Sequence, residues 1–204
     1  MKNLIQLIAT LAVFGFSILV PLHGKADTVP YSNLGVENND LYTFTATSTG
    51  EIHAYFYGST AAYTNTLTML VNGVITPETS AGVLNNHTSG IGDFVNLGFV
   101  NEGDSITFQL NVLTTGNTWY SDPLANSDDL NHVYSTAFLG DHLNNVPAGT
   151  YVGFEDLYRG GDFDYDDETF VFTNISPIPE PETYAMLLAG LALVSFKLRT
   201  RKIK

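Results

Sequence analysis

Acidic side chains crowd one short stretch of this sequence. Between Glu155 and Glu168 there are seven carboxylates and a single cation, Arg159. Two carboxylates ~4 Å apart repel by about 4 kcal/mol at the effective dielectric of a protein surface, so a folded loop of this composition needs a compensating charge. Alternating aspartates let a curled loop turn successive oxygens toward one hard ion. The stretch therefore predicts a Ca²⁺ site, with the following ligands: Glu155, Asp156, Asp162, Asp164, Asp166 and Asp167.

The known calcium loops do not match this stretch. An EF-hand loop starting at Asp162 would have Gly where Asp167 stands and Glu where Thr173 stands, and helices would flank it. A β-roll would repeat in tandem, and the sequence has no second Gly-Gly-x-x-Asp copy. A solvated turn that tolerates its charges is the alternative to a calcium site, because charge runs are more often solvent-exposed than ligating.

The segments on either side of the acidic stretch have the pattern of β-strands. Val152 and Phe154 precede it, and Phe170 and Phe172 follow it, with apolar residues at a period of two. Gly160 and Gly161 give the backbone between them conformational freedom. Together these features predict a β-hairpin that carries the acidic residues in its loop.

The same residues resemble a known domain. The run VGFEDL at 152–157, followed by GDFDYDD at 161–167, resembles the C-terminal signature of a β-rich domain of unassigned function found in bacterial surface and exported proteins. That signature usually has Asn where Asp166 stands. The change to Asp keeps an oxygen donor and adds a charge.

Residues 27–176 have the pattern of one all-β domain. Short runs rich in Thr, Tyr, Phe and Val alternate with turns, and no sustained helical period occurs. Asn72-Gly73 predicts a hairpin, and the turn at 101–104 separates two apolar runs in the same way. We expect an antiparallel β-sandwich of jelly-roll type. The predicted strands are Leu41–Thr47, Glu51–Tyr57, Thr66–Val71, Val95–Val100, Ser105–Leu113, Val133–Leu139, Tyr151–Leu157 and Thr169–Ile175.

The charge distribution excludes several classes of partner. The whole chain has a net charge of −13, but residues 27–176 carry 19 acidic residues against Arg159 alone, a net charge of −18. Such a domain repels nucleic acid and anionic membrane surfaces. The absence of cysteine excludes disulfides and thiolate metal sites, so a hydrophobic core must stabilise the fold.

The first 26 residues have the features of a signal peptide. Lys2 precedes an apolar run from Leu4 to Val20, and Gly24-Lys25-Ala26 forms a small-x-small cleavage site. We expect a signal helix that is removed after Ala26. An uncleaved membrane anchor is the alternative. In both cases the following domain leaves the cytoplasm.

The C-terminal residues predict a short membrane helix. A proline-containing linker at 177–182 precedes an apolar stretch at 183–196 and a basic cluster at 197–204, which the positive-inside rule places in the cytoplasm. Fourteen helical residues extend only about 21 Å, less than the ~30 Å hydrocarbon core of a bilayer. Residues 183–204 therefore fit transient retention in the inner membrane better than permanent anchoring.

This tail resembles the PEP-CTERM sorting signal of Gram-negative bacteria. Pro179, Glu180 and Pro181 match its motif, and residues 184–191 match the helix that follows. The resemblance implies recognition and cleavage by a membrane-embedded exosortase, and an association with exopolysaccharide production. An ordinary tail anchor with a proline linker is the alternative.

The predicted loop at 114–131 contains a second set of candidates. Trp119 and Tyr120 could stack on sugar rings if exposed, although such residues more often cover a core. Asp128, Asp129 and His132 could form a second metal site, and a hydrogen-bonded loop is the alternative.

These features predict a non-enzymatic protein of the cell surface or extracellular matrix. The predicted chain is an inner-membrane-tethered precursor that is later released, with a calcium-stabilised β-sandwich. A carbohydrate-binding module for exopolysaccharide is the main alternative. A glycosidase is a weaker one, because no Gly-x-Ser-x-Gly, His-Glu-x-x-His or phosphate-loop motif occurs in the sequence.

Overall fold

The computed structural model describes residues 29–178 and Leu191. The predicted signal helix at 1–26, the sorting motif at 179–181 and, apart from Leu191, the predicted membrane helix at 183–204 lie outside these residues. Within the described part of the chain, no helix has the length and apolar character needed to cross a membrane.

Within residues 29–178, eleven strands form two antiparallel sheets. The strands are β1 (Thr43–Ala46), β2 (Gly50–Gly58), β3 (Asn65–Val71), β4 (Val74–Ile75), β5 (Phe94–Val100), β6 (Ser105–Val112), β7 (Asn117–Tyr120), β8 (Val133–Phe138), β9 (Gly149–Phe154), β10 (Glu168–Phe172) and β11 (Ile175–Ile178). Three short 3₁₀ segments accompany them, at Pro77–Thr79, Pro123–Ala125 and Tyr158–Gly160.

The first sheet has six strands in the order β11-β1-β6-β3-β4, with β7 also paired to β6. The second has five strands in the order β5-β2-β10-β9-β8. β1 pairs with the first residues of β6 and β7 with its last four, so these two short strands lie along the same side of β6. The chain passes repeatedly between the sheets, which makes the fold a β-sandwich.

The core lies between the two sheets. Alternate residues of β6 are fully buried, as expected for a strand with one face on the core. Phe108 of β6 stacks on Phe172 of β10 with ring centroids 3.9 Å apart, so this aromatic pair joins the sheets. Leu67, Leu97 and Phe154 are fully buried around it.

The outer face of the five-stranded sheet is also covered. Tyr57, Phe138, Tyr151 and Val171 form a second buried apolar cluster there. Tyr31, from the segment before β1, packs near this face against the rings of Tyr134 and Tyr165. All five residues of β10 are therefore buried, and this strand lies inside the protein on both of its faces.

The structure confirms the predicted all-β class and the sandwich of antiparallel sheets. The hairpin at Asn72-Gly73 joins β3 to β4, and β9 pairs with β10 as the predicted hairpin around the acidic stretch. The interpretation of 101–104 as a similar hairpin is wrong, because β5 and β6 belong to different sheets. Turn residues predict a reversal of the chain, but they do not indicate which sheet the next strand joins.

Candidate metal centre

The acidic loop connects two neighbouring strands at one end of the sandwich. β9 ends at Phe154 and β10 begins at Glu168, and these two residues face each other across the ladder. The loop between them contains several residues with positive φ, including Arg159 at 66°, Phe163 at 53° and Tyr165 at 57°. This left-handed backbone is uncommon for residues other than Gly, and it curls the chain tightly between the strands.

Two buried rings fix the start of the loop. The Trp119 indole N–H donates to the Asp156 carbonyl oxygen at 2.8 Å, and His132 Nδ1 lies 3.0 Å from the Glu155 carbonyl oxygen. The two rings stack with centroids 3.9 Å apart and planes 4° apart. His132 Nε2 lies 3.1 Å from a carboxylate oxygen of Asp128, which also accepts from the Arg159 backbone N–H. The loop backbone is therefore held on a rigid, buried support.

Three carboxylates of the loop converge on one point. One oxygen from each of Glu155, Asp162 and Asp164 lies within 4.8 Å of the other two, and these acids could hold a metal ion. We call this group the acid triad. Among the residues that the structure describes, it is the one group of three or more Asp, Glu or His side chains that meets this geometry.

The three members of the acid triad differ in exposure. Glu155 is fully buried, Asp164 is half-buried and Asp162 is exposed. One Glu155 oxygen accepts the Tyr165 backbone N–H at 2.8 Å, while the other has no hydrogen-bond partner among the described residues. A buried oxygen left without a donor is uncommon, and a missing ion is one of its recognised explanations.

The electrostatics of the acid triad favour an added positive charge. Burial raises the pKa of the Glu155 carboxyl to about 8, the Tyr165 N–H opposes this rise, and the charges of Asp167, Asp164 and Asp162 add to it. Burial also raises the pKa of Asp164, with further contributions from Asp166 and Asp162. A cation among these oxygens would stabilise their ionised forms.

The other three predicted ligands are not members of the acid triad and have hydrogen bonds of their own. Asp166 accepts a hydrogen bond from the Thr60 hydroxyl, and its own backbone N–H donates to Asp164. Asp167 accepts the Asp156 backbone N–H at 2.9 Å. Asp156 Oδ2 accepts from the Asn65 side chain. Of the alternating aspartates, therefore, Asp162 and Asp164 join the acid triad, while Asp166 ties the loop to the segment after β2.

Sequence reasoning missed Glu168 and Asn65. Both side chains are fully buried next to the acidic loop. The sequence did contain a signal for Glu168. Alternate residues of a strand lie on the same face, so Glu168 lies on the face that Phe170 and Phe172 turn toward the core. Asn65 lies about 90 residues before the loop in sequence, and only the pairing of the two sheets shows that it belongs there.

Of the two roles considered for Trp119, the structure supports packing in the core and not an exposed sugar platform. Its side chain is completely buried between the sheets, where the indole N–H is used by the loop backbone. Tyr120 is half-buried and follows Trp119 at the end of β7. Asp128 and His132 form the hydrogen-bonded arrangement that was the alternative to a second metal site at this position.

The comparisons with known proteins assign two parts of the chain. Residues 177–202 match the PEP-CTERM protein-sorting motif. The chain carries a PEP-CTERM sorting motif. Residues 74–174 match a domain of unknown function, DUF4114. No curated protein and no solved structure matches the chain.

The PEP-CTERM motif indicates an exported protein that is sorted by exosortase. It is a recognition signal for exosortase, a membrane processing enzyme, and it implies a secreted, membrane-processed protein of Gram-negative bacteria. The DUF4114 match runs from β4 to the residues just after β10, so it includes the whole acid triad. Asn65, at the start of β3, precedes the matched region.

Proposed function

We propose that this PEP-CTERM protein is a non-enzymatic component of the cell surface or extracellular matrix whose β-sandwich is stabilised by Ca²⁺ at the acid triad. The observation that carries the proposal is the buried Glu155 carboxylate, which has one oxygen without a hydrogen-bond partner among the described residues and lies beside two further carboxylates. An ion at this point would satisfy that oxygen and neutralise the repulsion among the three acids.

The chemistry of the donors supports calcium over other metals. All three donors are carboxylate oxygens, which hard cations prefer, whereas zinc sites usually contain His or Cys. Mg²⁺ demands a compact octahedral arrangement, while Ca²⁺ accepts six to eight oxygens in flexible geometry. A loop with one exposed aspartate leaves room for backbone carbonyls and water to complete the shell of a larger ion.

Isothermal titration of the full-length protein in detergent tests this proposal. We expect heat of binding with Ca²⁺, much weaker binding with Mg²⁺, and a large loss of affinity in Asp164→Asn. Glu102→Gln is the matched control, because it removes one exposed carboxylate in the turn between β5 and β6. Equal affinity of the parent and Asp164→Asn would contradict a site at the acid triad.

A second candidate function is binding of exported polysaccharide. A cavity of about 570 Å³ opens beside the acid triad, and Tyr63 and Leu157 contribute to its walls together with Asp162 and Asp167. An aromatic ring next to a bound ion suits sugars, whose hydroxyls can contact the ion while the ring stacks on their apolar face. Binding to a glycan array that is lost in Tyr63→Ala would support this function, and absence of binding by the parent would refute it.

A further inference from the structure

A second group of polar side chains lies at the same end of the sandwich as the acid triad but belongs to both sheets. Asn65 begins β3 in the six-stranded sheet, and Glu168 begins β10 in the five-stranded sheet. Asp156 follows β9, and Asp167 immediately precedes β10. We call these four residues, which share no member with the acid triad, the inter-sheet cluster.

The inter-sheet cluster contains buried oxygens without partners. Glu168 is 0% exposed, and neither of its carboxylate oxygens has a hydrogen bond of standard geometry within residues 29–178, although the Asn65 side-chain N–H lies close enough to lower the Glu168 pKa. The side-chain oxygen of Asn65, also 0% exposed, is unpartnered in the same part of the chain. Three unsatisfied oxygens on two neighbouring buried side chains are unusual in a native core, where buried polar atoms are almost always hydrogen-bonded.

These groups are close neighbours. The Asn65 side-chain N–H donates to Asp156 Oδ2 at 2.8 Å, and the Asp156 backbone N–H donates to Asp167 Oδ2 at 2.9 Å. The carboxyl groups of Asp156 and Asp167 both raise the pKa of Glu168, although burial is the main cause of a pKa of about 9 and Asn65 opposes it. The cluster is thus a contiguous set of oxygens with a large electrostatic cost.

Within residues 29–178, no cationic side chain offsets this cost. Arg159 is the one Lys or Arg between residues 29 and 178, and it is exposed, with its guanidinium carbon 5.7 Å from the centroid of the Tyr158 ring. It forms no ion pair with an acid of the described chain. A bound cation or protons would provide the charge compensation that residues 29–178 lack.

We infer that the inter-sheet cluster is a second divalent-cation site, in which Glu168 and Asp156 are ligands and Asp167 lies at the entrance. The Asn65 amide, whose nitrogen donates to Asp156 in this structure, turns its oxygen toward the bound ion as a further ligand. The donors of this site are carboxylate and amide oxygens, the set that calcium takes in proteins. An ion can reach the edge of the inter-sheet cluster from the cavity beside the loop, because Asp156 and Asp167 contribute to the walls of this cavity together with Asp162 of the acid triad.

An ion in this position has a structural consequence that the acid triad does not share. The acid triad lies within one loop, whereas the inter-sheet cluster joins the first residue of β3 to the first residue of β10 across the sandwich. A bound cation would therefore link the two sheets at the open end of the core. In a chain without disulfides, it would act as a cross-link between them.

Equilibrium dialysis of the full-length protein in detergent against radioactive calcium tests this inference. We expect two ions per chain for the parent and one for Glu168→Gln, with the lost ion weakened by at least ~100-fold, since removing even an outer partner of a ligand reduces affinity by roughly 10- to 100-fold. Asp164→Asn should also bind one ion, and Glu102→Gln should bind two. The double variant Asp164→Asn/Glu168→Gln should bind none.

The outcomes separate this inference from the proposed function. One ion in the parent that persists in Glu168→Gln and disappears in Asp164→Asn would overturn the second site and leave the acid triad intact. One ion that disappears in Glu168→Gln and persists in Asp164→Asn would support the inter-sheet cluster and refute the acid triad. Absence of binding would refute both.

Folding of the variants is checked independently of the ion. In chelator, Glu168→Gln should unfold at a temperature equal to or above that of the parent, because the substitution removes a buried acid. Glu168→Met, which resembles Glu in shape, provides a second variant with the same expected loss of one ion. Retention of both ions by a folded Glu168→Met protein would also overturn the inference.

Discussion

The acid triad and the inter-sheet cluster lie side by side, and both contain crowded carboxylates, but they differ in their exposure to solvent. Asp162 of the acid triad is exposed and Asp164 is half-buried, so water can compensate part of their charge. Glu168 and Asn65 of the inter-sheet cluster are fully buried, so bulk water solvates their unpartnered oxygens much less. Our proposal therefore predicts that the acid triad tolerates loss of its ion better than the inter-sheet cluster does.

The two groups also differ in how the chain assembles them. The acid triad comes from ten consecutive residues of one loop, held by hydrogen bonds from Trp119 and His132 to its backbone. The inter-sheet cluster requires that β3 and β10 are already in place in separate sheets. Stability of the sandwich and occupancy of the second group should therefore depend on each other.

Withdrawal of calcium is expected to have the largest effect. A site saturated at 100 times its Kd stabilises the fold by about 2.7 kcal/mol, so two sites together contribute about 5 kcal/mol. At ~2–4 °C per kcal/mol for a domain of this size, chelation should lower the Tm by roughly 10–20 °C in calorimetry. The double variant Asp164→Asn/Glu168→Gln should lose this calcium dependence. An identical Tm of the parent in calcium and in chelator would contradict both sites.

The pH dependence of stability should change direction when calcium is added. In chelator, the raised pKa values of Glu155, about 8, and Glu168, about 9, mean that the folded state holds protons that the unfolded chain releases near pH 4.5. Their contribution to stability is therefore complete below about pH 4.5 and is lost as the pH rises through 8 to 9.

With calcium bound, the ionised carboxylates are the stable form, so stability should instead increase from pH 5 to 8. Denaturant unfolding across this pH range, with calcium and with chelator, measures the difference, and contributions from other titrating groups cancel between the two series. Parallel curves would indicate that no ion is linked to these acids.

Glu168→Gln tests the inter-sheet cluster directly, because the sign of its effect on the free energy of unfolding should depend on calcium. In chelator, the substitution replaces a buried acid with a neutral group and should leave the free energy of unfolding unchanged or increased. In saturating calcium, it removes a ligand and should destabilise the protein by about 2–3 kcal/mol, the contribution of one site. Urea unfolding in both conditions gives the two values. Destabilisation by the same amount in both would mean that Glu168 acts only through packing.

Asp164→Asn should have the smallest effect of the variants at these sites. Its side chain is half-buried, so its loss in chelator should change the free energy of unfolding by less than about 0.5 kcal/mol. In calcium, the loss should be about 1–3 kcal/mol, depending on how far an amide oxygen can replace the carboxylate. Glu102→Gln, which removes an exposed charge in a turn, should change neither value. A calcium-dependent effect of Glu102→Gln would indicate that overall charge, and not a site, controls the response.

Local patterns predicted much of the fold. Period-two runs of Phe and Val and the Asn72-Gly73 turn identified eight strands and the β9–β10 hairpin, because these signals depend on neighbouring residues. The two-residue strand β4 and the four-residue strands β7 and β11 are too short to produce such a pattern. The assignment of strands to sheets depends on contacts distant in sequence, which is why the turn at 101–104 was misinterpreted.

For the candidate site too, local sequence predicted one part and the three-dimensional arrangement decided the rest. Charge crowding predicted the acidic loop, and three of its six proposed ligands converge in the structure. The loop's curl decides which acids converge, and that curl depends on left-handed residues such as Phe163 and Tyr165, whose types do not indicate positive φ. The sequence left the role of Trp119 open between sugar stacking and core packing, because its hydrogen bond to the Asp156 carbonyl arises only from the packing of β7 beside the loop.

The most direct test is a crystal structure of the protein grown with calcium, with anomalous scattering measured at a wavelength where the calcium signal is strong. Our account predicts two peaks at this end of the sandwich. One should lie among Glu155, Asp162 and Asp164 and the other among Asn65, Asp156 and Glu168, each with carboxylate oxygens 2.3–2.6 Å from the ion. A well-ordered structure at millimolar calcium with no peak at either position would contradict the account.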